Sequence, residues 1–224
     1  MTKAIFFDLF FTLIYPKYSD ENEYDIIGIT AMEWEKYAED NRLYHERALG
    51  NVKTEKEIIN KIVDIMPYQL SESEKQKILE RREERMKRAL LTVDNNIVDT
   101  LWKIHEKGIK IGLISNADII DSKHWEESIL SEIFDISIFS CDVGILKPDT
   151  GIYYLAMNRL GVTPEESIFV GDGGSNELCG AKNAGMKTVF TEFLDRKLKN
   201  QKEIIEKYAD YHIDEFDNLL NYLD

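Results

Sequence analysis

The chain has 224 residues, 43% of them hydrophobic, and a formal net charge of −14, which fits one large domain or a core domain with a smaller insert and excludes wholesale disorder. Such acidity argues against nucleic acid or an anionic membrane as partner, and an anionic substrate would need a local cation or metal. Two cysteines, Cys141 and Cys179, lie too far apart for a CxxC pair and are read as small buried thiols in a reducing compartment.

Residues 3–8 form a short apolar run that ends on Asp8, the pattern of a buried strand. The run leaves no room for a signal peptide, and no apolar stretch is long enough to span a bilayer; the expected location is cytoplasmic. From about residue 20 to 91 the chain is charged and helical in period, and three or four helices are expected. Ile58, Ile59, Ile62 and Val63 share one helical face. Thr54 with Glu57, and Ser71 with Glu74, fit capping boxes. Tyr15, Tyr18, Trp34, Tyr37 and Tyr44 read as packing within this block, with one or two of them able to face the cleft. Arg42, His45 and Arg47 read first as a solvated helix face, with contact to an anionic substrate or an acid/base role as the alternative, and the mixed-sign run from Arg81 to Arg85 reads as a solvated face.

From residue 93 strands and helices alternate. Helices are predicted at 95–107, 122–132, 149–160, 175–184 and 194–207, with a last one from 214. Strands are predicted at 109–115, 136–140, 167–171, 187–190 and 211–213. This alternation predicts a parallel sheet covered on both faces. The division is a core of residues 1–15 and 93–224 and a helical cap of residues 16–92, set over the carboxyl edge of the sheet as a lid.

Four polar clusters follow strands: Asp8 with Thr12, Ser115-Asn116, Lys147-Pro148-Asp149, and the segment from Gly171 to Glu177. Strand ends converge in a parallel sheet, so these groups can line one crevice. Asp8 is placed where an aspartate nucleophile can stand. Asp8 and Asp172 offer hard oxygens to one Mg²⁺, with Glu177 in support. Ser115, Asn116 and Lys147 supply donors for phosphoryl oxygens, and Thr12 either satisfies local backbone or touches substrate. Tyr153 reads as core.

In order and spacing these motifs resemble the haloacid dehalogenase-like superfamily of hydrolases. The resemblance rests on Asp8 to Leu13, Ser115, Lys147-Pro148, and Gly171-Asp172 with Glu177, and it covers the whole α/β core. It implies a Rossmann-like core with a helical cap. In the family's phosphatases the aspartate matching Asp8 attacks phosphorus, and the metal is held by that aspartate, by the backbone carbonyl matching Phe10, and by the acid matching Asp172. Those phosphatases carry a second aspartate where this chain has Phe10, and a glycine where it has Phe11. The acid/base contribution of such an aspartate is about 10²–10⁴-fold. The expected function is a Mg²⁺-dependent phosphatase of reduced activity on a small phosphorylated metabolite. Two alternatives are a dehalogenase-like reaction at carbon, suggested by an aromatic residue at position 10, and a catalytically weak or silent scaffold that binds a ligand or a protein partner. Oligomeric state is left open.

Overall fold

The computed structural model describes residues 1–223. Six strands form one parallel sheet: β1 (Ala4–Phe7), β2 (Lys110–Ser115), β3 (Ile136–Phe139), β4 (Ser167–Gly171), β5 (Lys187–Thr191) and β6 (Tyr211–Ile213), in the order β3-β2-β1-β4-β5-β6. This is the doubly wound Rossmann-like arrangement expected from the alternation. The first strand is central: Phe7 pairs with Leu113 on one side and Val170 on the other. Alternate residues of β1 serve opposite faces of the sheet. Ile5 and Phe7 join one apolar cluster and Ala4 and Phe6 the other.

The helices are α1 (Ala31–Ala38), α2 (Asn41–Ala48), α3 (Glu55–Asp64), α4 (Glu72–Leu91), α5 (Asn95–Glu106), α6 (Ile119–Ser122), α7 (Ile129–Ile133), α8 (Ser140–Val143), α9 (Thr150–Leu160), α10 (Glu177–Asn183) and α11 (Lys199–Ile205). Helices α1 to α4 gather around their own apolar cluster, which includes Trp34, Ile58, Ile59, Ile62, Val63 and Ile78. Ser71 and Glu74 close a full capping box at the start of α4. At α3 the box is half made: Thr54 accepts the Glu57 N–H at 3.2 Å, while the Glu57 carboxylate turns to the Lys53 N–H.

Several expectations are corrected. The single helix predicted over 122–132 is broken into α6, a 3-10 turn at Trp125–Glu127 and α7. Ser128 causes the break by capping Leu130 and donating its hydroxyl to the Leu90 carbonyl at 2.6 Å. The helix predicted from residue 194 starts at Lys199, because the preceding loop is held by Glu192. The last helix is a 3-10 segment, Phe216–Tyr222. Cys141 and Cys179 are free but half-buried instead of buried.

The arginine faces are the largest correction. Arg82 is 2% exposed and donates to Asp118 at 2.7 Å and Asp121 at 3.1 Å. Arg47 is also buried, with Nε 2.9 Å from Asp118 and Nη1 donating to the Ala38 carbonyl at 2.6 Å. Asp118 thus sits between two arginines from α2 and α4, and the seam between these helices and the sheet is ionic. The mixed-sign run is solvated only in part: Glu84 faces outward and Arg81 is half-buried against Glu21, whereas residues 82, 86 and 89 share one buried face at helical spacing. Arg42 and His45 do lie on exposed ground.

Candidate active site

Asp8 continues the sheet by one hydrogen bond, its N–H donating to the Val170 carbonyl at 3.0 Å. Its carboxylate therefore stands at the carboxyl end of the central strand, where ligands bind in open α/β sheets. The chain then turns tightly. Phe11 adopts φ +61°, and its N–H donates to the Ile14 carbonyl at 2.7 Å. The glycine-type turn is thus kept by a phenylalanine in the left-handed region, at a cost of about 1–2 kcal/mol. Its ring packs edge-on against Tyr15 at 5.0 Å.

Three carboxylates and one ammonium form the floor of the site. Asp8, Asp172 and Glu177 are 5%, 4% and 1% exposed, and one oxygen from each lies within 4.8 Å of the others. Lys147, 4% exposed, donates to Asp8 and to Glu177, the latter at 2.6 Å. Thr12 donates to the other Asp8 oxygen at 3.3 Å. Asn116 holds the lysine's backbone at both ends of its amide, accepting the Lys147 N–H at 2.8 Å and donating to its carbonyl at 3.1 Å. The Lys147-Pro148 peptide is cis.

Glu177 enters from the first turn of α10. Gly171 leaves room for it: a Cβ there would lie 2.1 Å from the Glu177 Oε1. The turn before α10 is left-handed at Ser175 and Asn176, so this helix starts two residues later than predicted. Asp172 accepts the Gly174 N–H at 2.9 Å. Tyr153 is core, as expected, with its hydroxyl donating to the Glu177 carbonyl.

Electrostatics follow from this burial. Desolvation raises the Asp8 carboxyl, Lys147 opposes it, and Asp172 adds to it. Desolvation and then Asp8 raise Glu177 well above 4.5. Lys147 is raised as well, because Asp8 and Glu177 outweigh its burial. Crowded carboxylates that are reluctant to ionise form a site suited to an added cation. The donor set is all oxygen, the ligand chemistry of Mg²⁺.

The pH dependence has a definite sign. Because its pKa is raised, the fold holds the Glu177 proton more tightly than the unfolded chain does. This contribution to stability is complete below the ordinary carboxylate range and is lost as pH rises through the raised pKa. Glu177→Gln removes the loss. In EDTA, the variant's urea midpoint relative to the parent is expected to rise between about pH 5 and pH 7.5. A difference that stays constant with pH would contradict the assignment.

The floor opens into a cleft of about 1050 Å³, lined by Asp8, Phe10, Asn116, Lys147, Asp172 and Glu177 from below and by Tyr44, Arg47, Arg82 and Arg85 from the helical side. Tyr15 and Tyr18 also face the cleft, while Trp34 is packed among the helices. Ser115 is fully buried at the end of β2. Its hydroxyl has no hydrogen-bond partner among the described residues. Lys197 is a residue that sequence reasoning missed. It reaches Asp172 at 2.5 Å from the loop after β5, and it carries no motif that could have revealed it.

Fold and cleft together define an open parallel α/β protein with an acidic site at the carboxyl edge of its sheet. The sequence model for haloacid dehalogenase-like hydrolases matches residues 3–191, and the chain belongs to that family. It is similar to the glyceraldehyde 3-phosphate phosphatase of Methanothermobacter thermautotrophicus, with 37% identity over 108 residues, 47% of each chain. The enzyme of that name from Pyrococcus furiosus is 35% identical over 133 residues, 56% of this chain and 52% of that one. The pyrophosphatase PpaX of Halalkalibacterium halodurans is 33% identical over 107 residues, 45% of this chain and 46% of that one. The matched region thus spans about half the length of these relatives. Among solved structures, a dehalogenase superposes with a TM-score of 0.68 at 20% identity, covering 99% of this chain and 97% of that one. A family enzyme from Bacteroides thetaiotaomicron, solved with magnesium and inorganic phosphate, gives 0.67 at 19% identity, covering 89% and 98%. At these identities the superpositions bear on the fold.

Proposed function

We propose that the chain is a phosphatase that hydrolyses a small phosphorylated metabolite through a phosphoryl group carried on Asp8. The observation that carries this reading is the buried cluster of Asp8, Asp172 and Glu177 with Lys147 among them. The names of the relatives point the same way. In this reading Asp8 attacks phosphorus, the P–O bond to the leaving group breaks, and water then hydrolyses the acyl phosphate, returning Asp8 as a carboxylate. Lys147 neutralises charge and fixes one Asp8 oxygen, and Thr12 fixes the other. Asn116 acts by holding Lys147, with its amide committed to that backbone. Ser115 is assigned a phosphoryl-orienting role on its unpartnered hydroxyl alone.

A divalent ion, Mg²⁺ by ligand type, would be held by Asp8, Asp172 and the Phe10 carbonyl with Glu177 in support, and would neutralise charge on the phosphoryl oxygens. Residues 16–92 act as the cap over the core of residues 1–15 and 93–224 and set substrate choice through the side chains that α2 and α4 present to the cleft. Unpaired cysteines accord with a cytoplasmic setting. Among the described residues, no helix is long and apolar enough to cross a membrane.

Phe10 lines the cleft where a carboxyl would protonate the leaving oxygen, so turnover is expected to be slow, by about 10²–10⁴-fold against an enzyme with that acid. The test is phosphate release from a panel of monoesters with Mg²⁺ or with EDTA. Release that requires Mg²⁺ is the expected result. The same aromatic residue favours a second reading, attack at carbon, and halide release from 2-haloacids in EDTA would establish it instead. An absence of turnover in both assays would favour the binding scaffold.

A further inference from the structure

Lys197 reaches the cleft floor but has no part in the reaction proposed above. Its Nζ lies 2.5 Å from the Asp172 Oδ2 and 2.7 Å from the Asp195 Oδ2. It also stands 5.7 Å from the centre of the Phe11 ring. The loop that delivers it is fastened from below. Glu192, itself buried, accepts the Lys197 backbone N–H at 2.9 Å, and its other oxygen is held by Lys202 at 2.5 Å.

Both oxygens of Asp172 are therefore engaged, Oδ1 by the Gly174 N–H and Oδ2 by Lys197. Three buried carboxylates face two ammonium groups, with Lys147 between Asp8 and Glu177 and Lys197 on Asp172. A divalent ion that uses Asp172 has to meet this arrangement. Each oxygen keeps a second lone pair, but a dication at Oδ2 would stand against the Lys197 ammonium, so gaining that atom favours the ammonium's departure.

We propose that Lys197 is a tethered place-holder cation that occupies Asp172 until a divalent ion displaces it, and so sets the chain's affinity for that ion. The proposal rests on the metal reading given above. Asp195 makes displacement feasible. It is about one-third exposed, whereas Asp172 is 6% exposed in its side chain. Lys197 can keep this second, wetter partner while releasing the first. The displaced ammonium stays beside Phe11 at the cleft wall, so the site retains a positive charge in an acidic chain. The place-holder also offsets the cost of three crowded carboxylates before any ion arrives. Ion and ammonium compete for one oxygen, so their binding is coupled with a negative sign, and removal of either favours the other.

The experiment is calorimetric titration of Mg²⁺ into the full chain at fixed ionic strength, with thermal melts to confirm folding. Lys197→Met is expected to bind Mg²⁺ about tenfold more tightly than the parent, and Lys197→Gln provides the same neutralisation if the methionine variant fails to fold. Lys197→Arg restores the charge and is expected to return the affinity to within about twofold of the parent. Asp172→Asn is expected to lose the binding heat. Unchanged or weaker binding by both neutral variants would overturn the place-holder role while leaving the metal reading intact. Parental affinity in Asp172→Asn would overturn the metal reading, and this proposal with it.

Discussion

Asp8→Asn is expected to abolish phosphate release, by about 10⁴-fold or more, while leaving the protein folded and no less stable. The amide is close in size to the carboxylate and lacks its nucleophilic electron density. Its effect on stability has the opposite sign, because burial and Asp172 raise the Asp8 pKa and make its charged form costly in the fold. A neutral amide avoids that cost, and Lys147 keeps Glu177 as a partner at 2.6 Å. Inactive but equally stable is the pattern expected of a group kept for chemistry against the preference of the fold. The check pairs single-turnover phosphate release with a urea titration. Activity indifferent to the substitution would remove Asp8 from the mechanism.

Lys147→Met is expected to damage both properties. Lys147 is 4% exposed and neutralises two carboxylates that have almost no access to water. Removing one member of a buried ionic group typically costs about 3–5 kcal/mol, because the charge left behind is uncompensated. The expected result is a loss of that size in EDTA at neutral pH, shrinking as the medium is acidified and Asp8 and Glu177 take up protons. Mg²⁺ is expected to recover part of it. Activity is expected to fall with stability, since the same ammonium holds the Asp8 oxygen in place. A loss below about 1 kcal/mol would mean that Asp8 and Glu177 are already protonated in the parent, and the charge balance drawn for the site would be wrong.

Much of this arrangement could be read along the chain, and the reason is local. A strand that ends on an acid, a glycine-flanked acid before a helix, and a lysine before proline are each decided within a few residues. The parallel sheet then brings their ends together by topology alone. Asp8, Lys147, Asp172 and Glu177 met as expected on those grounds. Arg47, Arg82 and Lys197 were not legible, because their burial is decided by segments far away. Arg82 looks solvated in its own helix and becomes buried only when Asp118 and Asp121 are set against it. Lys197 sits in a charged stretch whose helical period extends through 194, and the Glu192 hydrogen bond, with the Lys197 bonds to Asp172 and Asp195, holds that stretch open as a loop. Phe11 shows the converse. Its residue type argues against the turn, yet the turn forms, held by the Phe11–Ile14 backbone bond and ring packing on Tyr15.

The central position of β1 bears on how the protein is made. Its aromatic residues leave the ribosome more than a hundred residues ahead of their ladder partners in β2 and β4. At about 5–20 residues per second, the strand waits on the order of 5–20 s for its first neighbour. Throughout that interval Ile5, Phe6 and Phe7 offer bare strand edges and sticky surface to any passing chain. The strand that carries Asp8 is thus the segment left longest without its sheet partners during synthesis.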